Sequence, residues 1–172
     1  MAKSKSISVN FLKSKEELKD EVEYNQFKYK EYFELVCKLI PDRENETLKI
    51  EPINNELTLK EGIVYVFVID GKIFKVGESI NSIKDRVQSY NCGKLEYRLK
   101  GTCSTTNFYV LQSLLTIGEE VEVYGYFPVQ PEYTIFGNKY KSSKSASKVA
   151  ENLIIKDFIK EHSKKPIGCT QQ

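Results

Sequence analysis

Tyr65, Lys75, Arg86 and Tyr90 put a phenol, an ammonium, a guanidinium and a second phenol into one short stretch of sequence. Together they suit the cleavage of a phosphodiester. That reaction needs a base to activate water, a cation to stabilise charge growing on the phosphoryl oxygens, and usually a metal ion to help the departing oxygen. A phenol with an ordinary pKa of about 10 is a weak base at neutral pH, but an adjacent ammonium favours the phenolate. Lys75 is the candidate for that part. Arg86 and Tyr90 stand four residues apart, which places them on one face of a helix.

The scarce residues narrow the chemistry further. His162 is the only histidine and tryptophan is absent, which rules out multi-histidine zinc sites and paired-histidine nucleases within one chain. Cys37, Cys92, Cys103 and Cys169 form no C-x-x-C pair and follow no secretory signal, so they read as reduced thiols, mostly core filler. Any catalysis must come from Tyr, Lys, Arg, Asp, Glu, Ser or Cys, with a hard metal ion on carboxylate as the natural assistant.

The elements that position these side chains can be read from pattern. The run Gly62-Ile63-Val64-Tyr65-Val66-Phe67-Val68-Ile69 is the most strand-like in the chain, and it ends in Asp70-Gly71, a hairpin signal of type I′. The strand after it, Lys72-Ile73-Phe74-Lys75-Val76-Gly77, pairs back on the first, making the neighbourhoods of Tyr65 and Lys75 cross-strand neighbours. Helices are expected over about 81–90 and 105–117, the second ending at Gly118, and a third strand over 121–127. Residues 128–148 read as a loop or hairpin insertion rich in Pro, Tyr, Gly, Ser and Lys. A last helix covers about 145–162. Upstream, Ser14 and Glu17 match a capping box, and Leu18, Val22, Phe27, Phe33, Val36 and Ile40 suggest one long amphipathic helix over 14–40 that Pro41-Asp42 ends. Residues 42–60 form a connector with short strands at 48–50 and 57–59.

With 172 residues the chain suits one compact domain. The fold class is α+β: a small antiparallel three-stranded sheet flanked by helices in the order β-β-α-α-β-α. Residues 1–60 are a helical extension and connector, 61–162 the core, and 163–172 a flexible tail. No apolar run is long enough to span a membrane, and the basic start at residues 1–6 leads into no signal-like segment, so a cytoplasmic location is expected.

The stretch from Gly62 to Tyr90 resembles the GIY-YIG nuclease family. Gly62-Ile63 with Tyr65 corresponds to the first half of the motif, with Val64 as one extra residue, and Lys75-Val76-Gly77 to the second. Ser79, Asn81 and Arg86 match the family's small-residue turn and helical arginine, and Tyr90 falls where the family has a histidine or tyrosine. Glu151-Asn152-Leu153-Ile154 resembles the segment whose glutamate binds the divalent metal. One departure is plain: Lys75 replaces the first tyrosine of the second half. The resemblance implies Tyr65 as general base, Arg86 and Tyr90 as contacts to the phosphate or the water, and Glu151 as sole protein ligand of one Mg²⁺, for which Mn²⁺ can substitute. The compact plan is most similar to the small type II restriction endonucleases of that family that read TCNGA. It implies double-stranded DNA as substrate, a homodimer, and a DNA methyltransferase acting on the same site.

Charge gives that reading a surface. The net charge is only +2, but residues 71–100 carry seven basic against three acidic side chains, and residues 129–172 eight against four. Ser79, Asn81, Lys84, Lys94 and Arg98 would flank the site, and Lys139, Lys141, Lys144 and Lys148 would follow a phosphate backbone or approach a groove. Each residue alone has a plainer part open to it, as packing or as solvated surface. Three rivals stand beside the nuclease. Asp42 with Asp70-Gly71-Lys72 imitates another nuclease pattern, although Asp70-Gly71 is better explained as a turn. The second is a non-catalytic nucleic-acid-binding module on the same scaffold, and the third an interaction protein with no nucleic-acid role.

Overall fold

In the computed structural model, which describes residues 7–169, the centre is the hairpin of β3 (Ile63–Ile69) and β4 (Lys72–Ser79). Asp70 and Gly71 both hold positive φ, as a type I′ turn requires. All seven β3 residues are buried because the strand is central and covered on both faces. Ile63, Tyr65, Phe67 and Ile69 pack into one layer of core, while Val64, Val66 and Val68 pack into the other.

The first layer lies under α2 (Ile83–Asn91) and α4 (Thr105–Ile117), with the short α3 (Leu95–Leu99) between them. Ser82 caps α2 with a capping box to Asp85, and Gly118 ends α4 in the left-handed conformation. The second layer is closed by Ile154 and Phe158 of α5 (Ser147–His162). The strand β5 (Val121–Tyr126) pairs antiparallel with β3 on the side away from β4.

The N-terminal region differs from the expected helix. Residues 15–32 make three single 3₁₀ turns, and the chain then forms β1 (Glu34–Asp42) and β2 (Thr47–Pro52). The sheet is therefore five-stranded, in the order β2-β1-β5-β3-β4, rather than three-stranded. Leu18, Val22, Phe27, Phe33 and Val36 are buried as expected, but from turns and a strand that wrap the sheet. Their irregular spacing is the reason, since gaps of three to six residues cannot keep one helical face. Residues 57–59, where the pattern predicts a strand, belong to the short helix α1 (Asn55–Leu59), capped by the Asn54 side chain.

The insertion folds into a two-stranded ribbon, β6 (Glu132–Ile135) and β7 (Asn138–Lys141), in which every strand residue is exposed. The tail departs from expectation as well. Ile167–Cys169 is a 3₁₀ turn with Gly168 and Cys169 buried against β4. The basic start at 1–6 and the tail end at 170–172 lie outside the described residues. Cys37, Cys103 and Cys169 are buried, Cys92 is exposed, and all four are free thiols. Among the described residues no helix is long and apolar enough to cross a membrane.

Candidate active site

A cleft of about 690 Å³ runs along β4, the edge strand of the sheet, between that strand, α2, α5 and the C-terminal turn. Tyr65, Lys75, Gly77, Glu78, Arg86, Lys148, Glu151 and Gly168 are among the residues that line it. Four of the five expected catalytic side chains thus share one concave surface, and the fifth, Tyr90, stands directly behind Tyr65.

The floor is a phenol pair. The hydroxyls of Tyr65 and Tyr90, both fully buried, share a hydrogen bond of 2.5 Å. Arg86 donates from Nε to the Tyr65 hydroxyl at 3.2 Å, and its guanidinium carbon sits 4.4 Å from the centre of the Tyr90 ring. The i, i+4 spacing on α2 produces this stack, as the sequence anticipated. Phe67 holds the pair from below, its ring centre 4.9 Å from Tyr65 and 5.9 Å from Tyr90.

Register explains one glycine. Tyr65 pairs with Gly77 across the hairpin, while Lys75 pairs with Phe67. The Tyr65 ring lies over Gly77, and a Cβ there would run into the phenol end of the ring. Gly77 is therefore the space that Tyr65 occupies. A register shift between Phe67 and Val68 follows, and Lys75 is only 7% exposed. Its Nζ donates to the Gly168 carbonyl at 3.0 Å.

Electrostatics here pull in two directions. Burial pushes the Tyr65 phenol well above its usual range, and Tyr90 adds to that, whereas Lys75 and Arg86 draw it back down. Burial dominates, so the resting phenol is neutral. Burial also raises Tyr90, against Arg86. Burial works against the Arg86 charge too, but the facing Tyr90 and Tyr65 oxygens outweigh it and hold the guanidinium protonated.

On the far wall Glu151 is largely covered and pairs with Lys148 at 2.6 Å. Ser147 donates to Glu78 at 2.8 Å, which ties the start of α5 to β4. Among the described residues no cluster of three metal-ligating side chains exists. Glu151 and Glu78 are the two carboxylates that line the cleft, a sparse oxygen set that suits a hard cation keeping most of its water.

The other expected contact residues are dispersed. Ser79 Oγ accepts from the Asn81 backbone at 3.2 Å in the turn before α2. Asn81 and Lys144 line a smaller hollow with Gly62, Ile80 and Ser145 at the root of the ribbon. Lys139 and Lys141 lie in the ribbon itself. Lys84 lines a groove against β2, and Lys94 donates to the Asn45 carbonyl at 3.1 Å. Arg98 fastens the Ser8 and Cys103 carbonyls and the Thr105 hydroxyl. None of these last three lines the cleft. Glu78 and Gly168 were missed by pattern reasoning; Glu78 directly follows the Lys75-Val76-Gly77 motif, while Gly168 carries no sequence signal.

The rival carboxylate pattern does not assemble. Asp42 pairs with Lys49 across β1 and β2, apart from the β3–β4 turn, where Asp70 pairs with Lys15 and Lys72 with Glu23.

No family model matches the chain, and no curated protein does. Among solved structures, the restriction endonuclease HPY188I in complex with product DNA is 59% identical, over 100% of this chain and 98% of that one, with a TM-score of 0.74. A mutant of bacteriophage T4 EndoII is 21% identical, over 76% of this chain and 91% of that one, with a TM-score of 0.57, a likeness of fold alone. Identity of that degree along the whole length settles kinship: the chain belongs to the family of the restriction endonuclease HPY188I.

Proposed function

We propose that this protein is a type II restriction endonuclease with a GIY-YIG catalytic core, which hydrolyses double-stranded DNA at a specific site. The observation that carries the reading is the convergence of Tyr65, Lys75, Arg86 and Glu151 on one cleft, with Tyr90 bonded to Tyr65 from behind. Full-length kinship to a restriction endonuclease points the same way.

In this reading a water attacks the scissile phosphorus and gives its proton to the Tyr65 oxygen. The bond to the 3′ oxygen breaks and that oxygen takes a proton from solvent water, leaving a 5′-phosphate and a 3′-hydroxyl. Tyr65 must be a phenolate to accept that proton, and Lys75 and Arg86 are the cations that favour it. Arg86 also faces the charge that grows on the phosphoryl oxygens. Tyr90 fixes the direction of the Tyr65 hydroxyl. Glu151 is the residue that would hold Mg²⁺, with Mn²⁺ as substitute, and the bound ion would stabilise the departing oxygen. Lys148, now paired with Glu151, is free to turn to a phosphate once a cation takes that carboxylate.

The ribbon is the candidate reader of DNA. A free two-stranded antiparallel ribbon is marginal in water, and the major groove of B-DNA is wide enough to admit one. Lys139 and Thr134 pair on one face, Tyr133 and Tyr140 stack on the other, and Phe136 at the tip is 98% exposed. Ser79, Asn81, Lys84, Lys94 and Arg98 are further proposed DNA contacts; for Lys94 and Arg98 this means giving up backbone carbonyls that they hold now. Two protomers related by a twofold axis would cut both strands of a near-palindrome such as TCNGA, with a methyltransferase protecting the same site and both enzymes in the cytoplasm.

The test is digestion of a long DNA of known sequence in Mg²⁺ and in EDTA. Discrete Mg²⁺-dependent fragments, with lengths that map to TCNGA, are expected. A smear would replace this reading by a nonspecific nuclease, and intact DNA that is nevertheless bound would replace it by a binding module.

A further inference from the structure

The segment after α5 comes back to the catalytic cleft. Ile167–Cys169 lies along β4, where Val76 N–H donates to Cys169 Sγ at 3.4 Å and the thiol donates to the Val76 carbonyl at 3.0 Å. These bonds satisfy outward-facing backbone groups of an edge strand. The other side of the segment is pinned by Glu21, which is 7% exposed and accepts from Ile167 N–H at 3.2 Å and from Lys164 Nζ at 2.8 Å. The strap is thus tied at both ends of a short span.

At its middle is Gly168. A Cβ there would stand 2.8 Å from the Phe74 carbonyl and 2.9 Å from Lys75 Cβ, so only glycine allows this approach. The approach brings the Gly168 carbonyl to the Lys75 ammonium at 3.0 Å. No carboxylate pairs with Lys75 among the described residues. A carbonyl orients an ammonium and pays part of its desolvation, but it leaves the positive charge intact. A carboxylate in the same place would have neutralised the charge that Tyr65 needs.

We infer that Gly168 is a positioning residue: its carbonyl, held in place by the Glu21-anchored strap, fixes the Lys75 ammonium beside Tyr65 with its charge uncompensated. This rests on the nuclease reading above. Tyr90 and Arg86 from α2 hydrogen-bond to Tyr65, and the other charged groups that line its cleft are Lys148, Glu151 and Lys156 from α5 and Glu78 from β4. Lys165 and Cys169 complete the ring on the strap side. Lys75 donates to the strap carbonyl, which gives a disturbance of the strap a route to Tyr65 through Lys75. Without the strap the four-carbon stem of Lys75 samples other rotamers, its charge at Tyr65 falls, and the phenol becomes harder to ionise.

The experiment compares the full chain, Gly168→Ala and a chain ended after Pro166, each with and without Lys75→Ala. Single-turnover cleavage is followed across pH, and DNA affinity is measured with Ca²⁺ in place of Mg²⁺. The strap variants are expected to cleave about tenfold to a hundredfold more slowly, as misplaced catalytic groups do. Their rate-limiting ionisation should move to higher pH, while DNA affinity stays within about twofold. In the Lys75→Ala background the same changes should cost nothing further, since groups acting as one unit are not additive. A wild-type rate with an unmoved pH profile in Gly168→Ala, or losses that multiply with Lys75→Ala, overturns the inference alone. A full chain that cuts no DNA overturns the nuclease reading, and the inference falls with it.

Discussion

The β3–β4 hairpin with α2 and the β6–β7 ribbon are both short antiparallel pairs with a two-residue turn, yet they are opposites in packing. Both turns hold two residues at positive φ, Asp70-Gly71 in one and Phe136-Gly137 in the other. In the first hairpin the strands are almost wholly buried, and Tyr65 is held by a ring below, a phenol behind and a guanidinium beside it. In the second no strand residue is buried. A group that must deliver or take a proton needs a fixed direction, which dense packing provides. A surface that must adapt to a duplex gains from being ordered by it, and its exposed Phe136 at φ 48° has no reward inside the chain. In the proposed account the chemistry sits in the packed hairpin and the recognition in the free one.

That contrast can be broken from either side. The largest effect is expected for Glu151→Ala, which should abolish cleavage in Mg²⁺ while DNA binding, read by gel shift, stays nearly intact. Gly77→Ala comes next. Its Cβ would occupy the space of the Tyr65 ring, so activity should collapse and stability fall by roughly 1–3 kcal/mol, read by denaturant titration. At the comparable glycine of the ribbon, Gly137, an added Cβ would meet nothing, and replacing it should cost only the strain of its positive φ.

Lys75→Ala should act through pH. The base must lose its proton to work, and burial places the Tyr65 phenol above its ordinary range, so wild-type cleavage should rise with pH through the alkaline side of neutrality. Removing a cation that opposes that rise should shift the profile further upward; an unchanged profile would show that Lys75 does not tune the phenol. The smallest effect belongs to the ribbon. Lys139→Ala should leave the melting temperature unchanged, weaken DNA binding modestly, and lower the slope of log affinity against log salt by about 1.

The sequence carried the packed hairpin well because its signals are local. Asp70-Gly71 fixes the turn, the β-branched and aromatic run before it marks the strand, and the i, i+4 spacing sets Arg86 and Tyr90 on one face of α2. The N-terminal region was misread for an equally physical reason. Leu18, Val22, Phe27 and Phe33 are apolar because they seal the sheet from turns, and a run of apolar residues after a capping box imitates a helix even though their spacing drifts off one face. The Leu35-Val36-Cys37-Lys38-Leu39 run that makes β1 was hidden within that pattern. Gly77 and Gly168 lie beyond local reading, since each is explained only by a side chain or strand that folding brings against it. The dispersal of Lys84, Lys94 and Arg98 away from the cleft has the same cause: charge counts locate a block in sequence, and helix geometry then scatters it.

The most direct measurement is cleavage by Tyr65→Phe beside the wild type, on a DNA bearing TCNGA, in Mg²⁺, with binding measured in parallel. Removing one oxygen keeps the ring over Gly77 and the core it fills. The account predicts a folded protein that binds the duplex like the wild type and cuts neither strand. Cleavage at the wild-type rate would contradict it, because the proton of the attacking water would then have gone elsewhere.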